Sequence, residues 1–129
     1  MKKMIIALIC GVNDKVQMYI PQKTVTDETD EFTVVLENTT DQDYNYDAGQ
    51  RLEVWKNSKW CVVEDKINFT TMQLFTLPAG GSDELTFNVA DHYGTLSEGR
   101  YRVVMIFTDH DGNQTLAAAE FGIGRVNTK

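Results

Sequence analysis

The chain has 129 residues, of which 12 are basic and 19 acidic, giving a net charge of -7. This length suits one domain that buries a core of its own. Because binding to a phosphate backbone depends on clustered Lys and Arg, the acidic balance excludes nucleic acid as the expected partner. Strand-forming and turn residues dominate, with 9 Gly and 2 Pro, and no stretch carries a sustained helical stripe, which predicts an all-β fold.

The N-terminus admits two interpretations. Two lysines precede an apolar run at residues 4–12, in the order found in a secretory signal. The run is far shorter than the ~18 residues that span a bilayer as a helix. It lacks a small-x-small cleavage site, and the residue before Cys10 is larger than a lipoprotein signal prefers. Residues 1–12 are therefore either a degenerate lipoprotein signal, with Cys10 as the lipid anchor, or a first β-strand, and residues 13–129 form the domain.

The chain contains two cysteines, Cys10 and Cys61. They can form a disulfide only if their strands are neighbours. We expect two free thiols, because unpaired cysteines commonly behave as small buried hydrophobes.

The first half of the chain predicts two single strands, a loop and a hairpin. Apolar residues alternate in each strand, and Pro21 ends the first strand because it cannot donate to a sheet. Asn57 and Ser58 lie between two strand-like arms, a separation that predicts a β-hairpin. In order, the predicted elements are strand Val16–Ile20, strand Glu31–Glu37, an acidic aromatic loop at residues 41–50, and hairpin arms Arg51–Lys56 and Lys59–Glu64.

The second half contains the longest strand-forming run of the sequence, from Tyr101 to Phe107. Its odd-numbered positions are apolar or aromatic, and Val104 and Ile106 make the opposite face partly apolar as well, as expected for a central strand. Turn and strand signals predict a weak strand between Asp65 and Pro78, a turn at residues 78–81, strand Ser82–Val89, a helical turn at residues 90–94, an Asp-Gly turn at residues 109–113, and closing strand Gln114–Ile123.

Leu96, Gly99 and Tyr101 have the Leu-x-x-Gly-x-Tyr spacing of a tyrosine corner. In such a corner, the phenol at a strand entry hydrogen-bonds back to the preceding turn, an arrangement that belongs to immunoglobulin-like sandwiches. Together with turn signals at short intervals, the corner predicts an immunoglobulin-like Greek-key β-sandwich of seven or eight strands.

Short motifs along the chain are similar to those of one known family. They are Glu37-Asn38-Thr39-Thr40, Leu52-Glu53 with Trp60 across the hairpin, Leu77-Pro78-Ala79-Gly80, Tyr93-Gly94-x-Leu96-x-x-Gly99-Arg100-Tyr101-Arg102, and Ala118-Ala119-Glu120-Phe121-x-Ile123. From residue 16 to residue 123 the chain resembles the bacterial immunoglobulin-like domains of Gram-positive lipoproteins and secreted proteins. The resemblance implies an extracytoplasmic interaction or accessory domain without assigned chemistry. The chain departs from the family at Asn57-Ser58, where a Gly is usual, and at Trp55, where a charged residue is ordinary.

Glu53 and Arg102 are charged residues placed within predicted strands. Because charges in strands are costly to bury unless they are paired, we predict a cross-strand ion pair between them. Trp60 is predicted to lie in the core, like the buried Trp of such sandwiches. These three residues, with Gly99 and Tyr101, are assigned structural roles.

A surface patch is the candidate binding site. Trp55 has the opposite parity to the apolar residues beside it, so it should face outward. With Tyr44, Tyr46, Asn57 and Ser58 it would form an exposed aromatic patch, and aromatic side chains are the usual anchors of interfaces. The alternative is a strand aromatic that its neighbours cover.

Oxygen ligands recur at every second position in Asp41, Asp43, Asn45 and Asp47, as at the opening of a calcium loop. The pattern then fails, because Tyr46 stands where the loop needs Gly and no acid occupies its last ligand position. We therefore expect a solvated acidic loop and no cofactor, with calcium as the alternative.

The histidines give no support for catalysis. His92 and His110 are the only two, and neither has the neighbours that a catalytic triad or a zinc site requires. We predict that the protein is not an enzyme.

Three functions are consistent with the sequence. The first is a non-catalytic domain that recognises a protein or a cell-envelope component from an extracytoplasmic position, either free or anchored to the membrane as a lipoprotein. The second is a proteinase inhibitor similar to the bacterial intracellular type, which presents an exposed loop at residues 65–73 and would be cytoplasmic, with an unprocessed N-terminus. The third is a calcium-dependent adhesion module that uses the acidic loop.

Overall fold

The computed structural model describes residues 15–21, 25–26, 28–47, 51–67 and 74–124. The N-terminal segment 1–12 lies outside these ranges, and both interpretations of it, including the role of Cys10, therefore stay predictions. Cys61 is a free thiol.

Within the described residues the chain forms nine β-strands and one short helix, which confirms the all-β prediction. The elements are β1 Val16–Tyr19, β2 Glu31–Asn38, β3 Tyr44–Asp47, β4 Arg51–Lys56, β5 Lys59–Val62, β6 Leu74–Leu77, β7 Ser82–Asn88, α1 Val89–Tyr93, β8 Gly99–Thr108 and β9 Gln114–Ile123. The count exceeds the predicted seven or eight because β3 forms where an acidic loop was predicted, at residues 41–50. That prediction of a loop is wrong for β3.

The strands form two antiparallel sheets that pack as a sandwich. One sheet has the order β1-β2-β7, and the other has six strands around β8. Along one edge of β8 lies β9, while β4 and then β3 lie along its other edge. The outermost strands of the larger sheet are β9 on one side and, on the other, β5, which pairs with β4, and β6, which pairs with β3. The strand β8 is therefore central, as its two-sided apolar pattern predicts.

The core lies between the sheets and is built from alternate residues of facing strands. Phe32 of β2 contacts Phe87 and Phe121, with ring centroids 5.2 and 4.9 Å away. All four inward-facing residues predicted for the central strand are buried, namely Tyr101, Val103, Met105 and Phe107. Burying a large apolar side chain contributes roughly 1.5–3 kcal/mol, so these four residues together contribute about 6–12 kcal/mol to the favourable free energy of folding.

The side-chain amide of Asn38 joins the end of β2 to the end of β6. Asn38 is buried, and its Nδ2 donates to the carbonyl oxygens of Gln42 at 2.7 Å and of Leu77 and Pro78 at 3.1 Å each. Its Oδ1 accepts from Thr40, from the backbone N at 3.0 Å and from Oγ1 at 2.8 Å. The Asn-Thr-Thr and Leu-Pro-Ala-Gly motifs are therefore the two sides of one hydrogen-bonded junction.

The tyrosine corner has the geometry that its spacing implies. The Tyr101 hydroxyl donates to the carbonyl oxygen of Ser97 at 2.7 Å, and Leu96 is buried. Helix α1 leads into this corner and ends at Gly94, which has a positive φ of 72°. A Cβ added at Gly99 would lie 3.5 Å from Cε1 of Tyr101, an ordinary contact, so packing against the ring does not by itself require glycine there.

The β4–β5 hairpin turns at Asn57 and Ser58, as predicted. Both residues have positive φ values, 53° and 64°, and Lys56 pairs directly with Lys59. Two successive positive φ values define the type I′ turn, whose twist matches that of the flanking strands and whose second position usually holds Gly.

Replacing Asn38 by Asp should lower the free energy of unfolding by about 3–5 kcal/mol at neutral pH. The new carboxylate would face three carbonyl oxygens without a hydrogen to donate, which leaves a buried charge uncompensated. Urea unfolding measures the loss. Asn45→Asp is the control, because Asn45 is an exposed residue of β3, and this change should cost less than about 0.5 kcal/mol. Equal losses in the two variants would contradict the role assigned to Asn38.

Ser58→Gly should raise the free energy of unfolding by about 0.5 kcal/mol. Glycine relieves roughly 1–2 kcal/mol of strain in the left-handed backbone conformation. It also increases the conformational entropy of the unfolded chain, which lowers the free energy of unfolding by about 0.4–1 kcal/mol. The control is Ser82→Gly in β7, an exposed strand position where glycine should destabilise by about 0.5–1 kcal/mol. Thermal unfolding of both variants measures the difference, and a destabilised Ser58→Gly variant would show that the turn is not strained.

Candidate binding face of the six-stranded sheet

A cluster of aromatic and charged side chains lies on the side of the six-stranded sheet that faces away from the core. We call it the tryptophan–arginine face, and it consists of Arg51, Glu53, Trp55, Trp60, Arg100, Arg102 and Glu120. The pairing register assembles it, because Glu53 and Glu120 lie on either side of Arg102, and Trp55 lies opposite Trp60. Residues directly opposite each other share one face of a sheet, so four strands contribute to one surface.

An ion pair that the sequence led us to expect lies at the centre of this face. Arg102 donates from Nε to Oε1 of Glu53 at 2.7 Å, and the two side chains are only 3% and 6% exposed. The second carboxylate oxygen of Glu53 lies 2.9 Å from Nε of Arg51. Both charges are therefore compensated, which is the condition for burying them in a strand.

Trp60 covers this pair, and both tryptophans contact a third arginine, Arg100. Their ring centroids are 5.3 Å apart in an edge-to-face arrangement, and Cζ of Arg102 lies 4.5 Å from the ring centroid of Trp60. Cζ of Arg100 lies 5.2 Å from both rings, within the range of a cation–π contact. Arg100 also donates from Nε and Nη2 to Oε1 of Glu120, at 3.1 and 3.0 Å. The aromatic rings are thus fixed in place by arginines on a rigid sheet.

The prediction that Trp60 lies in the core is wrong. Trp60 is half-buried on the outer face, because the two-residue turn places it directly opposite Trp55. Trp55 faces outward, as its parity predicts, and is half-buried by its neighbours.

The predicted exposed patch of Trp55 with Tyr44 and Tyr46 does not form. Tyr44 and Tyr46 are 4% and 2% exposed, because β3 is a strand and turns both rings toward the core. The Tyr46 hydroxyl donates to Oδ2 of Asp83 in the other sheet at 2.5 Å. Burial, together with this hydrogen bond and the charge of Asp83, raises the pKa of Tyr46. Asn57 and Ser58 are exposed at the hairpin tip.

The acidic stretch at residues 41–47 does not curl around a common centre. Alternate side chains of a strand lie about 6.6–6.8 Å apart along it, whereas calcium ligands gather at about 2.3–2.6 Å from one ion. Asp43 instead accepts from the backbone N of Ala79 at 2.9 Å, and Asn45 accepts from Oγ1 of Thr76 at 3.0 Å. In the ranges that the structure describes, no group of three or more His, Cys, Asp or Glu side chains is placed to hold a metal ion.

Both histidines lie outside the strands, His92 in α1 and His110 in the turn between β8 and β9. Nδ1 of His92 is 2.9 and 3.0 Å from the two carboxylate oxygens of Asp65, and His110 lies beside Asp111 at an exposed turn.

Of the predicted inhibitory loop at residues 65–73, only the first part, to Ile67, is described. No helix in the described ranges is long and apolar enough to cross a membrane.

Glu53→Leu should lower the free energy of unfolding by about 3–5 kcal/mol, because it leaves the buried guanidinium of Arg102 without its carboxylate. The double variant Glu53→Leu/Arg102→Leu should recover most of that loss, since no unpaired charge remains. Glu120→Leu, which breaks the half-exposed pair with Arg100, should cost at most about 1 kcal/mol. Urea unfolding of the three variants tests this order, and a double variant no more stable than Glu53→Leu would contradict it.

A family model described as a bacterial Ig-like domain matches residues 12–121. The structural genomics target SoR45 superposes with a TM-score of 0.57 at 12% identity, over 92% of this chain and 95% of that chain. The periplasmic chaperone SfaE superposes with a TM-score of 0.53 at 12% identity, over 87% of this chain and 57% of that chain. These likenesses show the fold alone, and no curated protein matches the chain. The family match covers most of the chain, which therefore belongs to the bacterial Ig-like domain family.

Proposed function

We propose that the protein is a non-catalytic, extracytoplasmic binding domain that recognises a protein of the cell envelope through the tryptophan–arginine face. The observation that carries this proposal is the packing of Trp55, Trp60 and Arg100 against one another on the outside of the sheet. Trp and Arg are the residue types most enriched among interface residues that dominate binding energy.

Preorganisation supports this choice of surface. Arg100 is held by Glu120 and by both rings, and the buried Glu53–Arg102 pair lies beside them. Side chains that are already ordered lose little conformational entropy when a partner binds. A sheet also presents them more rigidly than the loops at the ends of the sandwich.

Exposed apolar side chains extend the same face. Val62 lies opposite Glu53 on β5 and is 64% exposed, and Ile106 of β8 is 47% exposed. A protein partner can bury such residues around a central aromatic and arginine cluster, which is the usual anatomy of an interface.

The proposed location rests on the family and on the N-terminal residues. Members of the family are commonly extracytoplasmic, and residues 1–12 contain the charged and apolar parts of a secretory signal. We further propose that a lipid on Cys10 attaches the protein to the membrane. A non-catalytic role agrees with the charged groups of the face, each of which is engaged in an ion pair, with Glu53 shared by Arg51 and Arg102.

Substituting one tryptophan of the half-buried aromatic cluster tests the function. The full chain is immobilised, detergent-solubilised envelope proteins of the source organism are passed over it, and a retained protein is identified and purified for titration. Trp55→Ala should weaken its binding at least tenfold, as expected for an interface residue worth more than about 1.4 kcal/mol.

The matched control is Tyr19→Ala, which removes a 44%-exposed aromatic residue from the other sheet and should leave the affinity unchanged. Thermal unfolding confirms that both variants are folded. If Trp55→Ala binds as tightly as the unmodified chain, or if Tyr19→Ala weakens binding equally, the assignment to this face is wrong.

A further inference from the structure

A cavity of about 230 Å³ opens between the β4–β5 hairpin and the tyrosine corner. Its apolar wall consists of Val54, Val63 and Leu96, and the rings of Tyr93 and Tyr101 contribute two further sides. Lys56, Thr95 and Ser97 complete the lining. We call the cavity formed by these eight residues the corner pocket.

The corner pocket is separate from the tryptophan–arginine face. Val54 and Lys56 alternate along β4 with Glu53 and Trp55, so their side chains lie on the opposite side of the sheet. Nothing proposed for the outer face is needed for the corner pocket, and the two proposals can fail independently.

The phenols that line the cavity are buried. The Tyr101 hydroxyl donates to the carbonyl of Ser97 at 2.7 Å, and Tyr93 is 6% exposed. Both rings therefore contribute mainly apolar surface to the cavity. The polar groups left to orient a ligand are the ammonium of Lys56 and the hydroxyls of Thr95 and Ser97, the last of which lies 3.4 Å from the Tyr101 hydroxyl.

Lys56 is the single charged residue among the eight that line the corner pocket. It is exposed, and within the described ranges the structure shows no ion pair for its side chain. A cation beside an apolar wall, with a second lysine, Lys59, directly opposite it on the hairpin, is complementary to an anion that carries an apolar tail.

The volume limits the size of such a ligand. At about 30 Å³ for each water of the liquid, the cavity has room for roughly seven or eight water-sized groups. A chain of five or six carbons that ends in a carboxylate has this size. Thr95 and Ser97 can donate hydrogen bonds to the second carboxylate oxygen.

We propose that the corner pocket binds a small monocarboxylic acid, with its carboxylate at Lys56 and its apolar tail against Val54, Val63 and Leu96. The pocket thereby gives this domain a small-molecule site in addition to any protein partner. The tail supplies most of the affinity, and the lysine selects the acid over neutral molecules of the same shape.

Titration with hexanoate, followed by amide chemical shifts of the full-length chain, tests the proposal. We expect a dissociation constant of about 1 mM, given the few heavy atoms of the probe, with the largest shifts at Val63, Leu96 and Ser97. Hexanamide, which has the same shape without the charge, should bind about fivefold more weakly, as expected for one exposed ion pair.

Three variants locate the site. Lys56→Met should weaken hexanoate about fivefold and leave hexanamide unchanged, while Lys15→Met, which removes a lysine outside the lining, should affect neither probe. Thr95→Phe, which fills the cavity from its exposed rim, should weaken both probes more than tenfold.

Several results would overturn the proposal. They are shifts spread over the whole surface, equal binding of hexanoate and hexanamide, equal losses in the two lysine variants, or unchanged binding in a folded Thr95→Phe variant. The amide spectrum of each variant shows directly whether it is folded, so a loss of binding is not confused with a loss of structure.

Discussion

The sandwich depends on one buried side-chain amide where its two sheets meet. Asn38 ends β2 in the smaller sheet, and its Nδ2 donates to carbonyl oxygens at the end of β6 in the larger sheet. The backbone around it closes the same junction, since the N–H of Asn38 donates to Gly81 and the N–H of Gly80 donates to Thr40. Hydrophobic burial is non-directional and does not fix how two sheets are placed relative to each other, whereas these hydrogen bonds do. The amide therefore ties the end of the smaller sheet to the end of β6 in the larger sheet, and the apolar residues supply most of the stability.

The two faces of β8 show how one strand serves both the fold and a surface. Its odd-numbered residues fill the core, while the even-numbered positions carry Arg100 and Arg102 on the outside. Arg102 is as buried as a core residue although it lies on an outer face. It can be so because Glu53 neutralises it and a tryptophan ring covers it. The ordered outer face is thus a consequence of burying charge, and its rigidity is available for recognition.

The structural features that could be predicted from the sequence are those that depend on patterns of a few neighbouring residues. The alternation in β8, the spacing of the tyrosine corner and the two-residue hairpin turn each span a few residues, and each predicted its element. The same kind of pattern was present in β3, where Tyr44 and Tyr46 alternate with polar residues, but the acidic composition favoured a loop. Trp60 was also open to prediction, because a two-residue turn that sends Trp55 outward must send its partner the same way. The junction at Asn38 and the corner pocket are both formed by segments that lie about 40 residues apart in the sequence. Patterns of neighbouring residues do not predict such contacts.

Two strands, β3 and β4, share one edge of β8 and shape the outline of the larger sheet. Asn45 pairs with Thr108 and Leu52 with Val103, so the two strands lie along β8 with registers that differ by two residues. Each of them carries its own outer neighbour, β6 or β5, and each of these neighbours has four residues among those described. The opposite edge of the sheet is β9, a single strand of ten residues. Because short edges are poor templates for pairing with a second chain, the side formed by β5 and β6 is better protected from edge-to-edge aggregation than the side formed by β9.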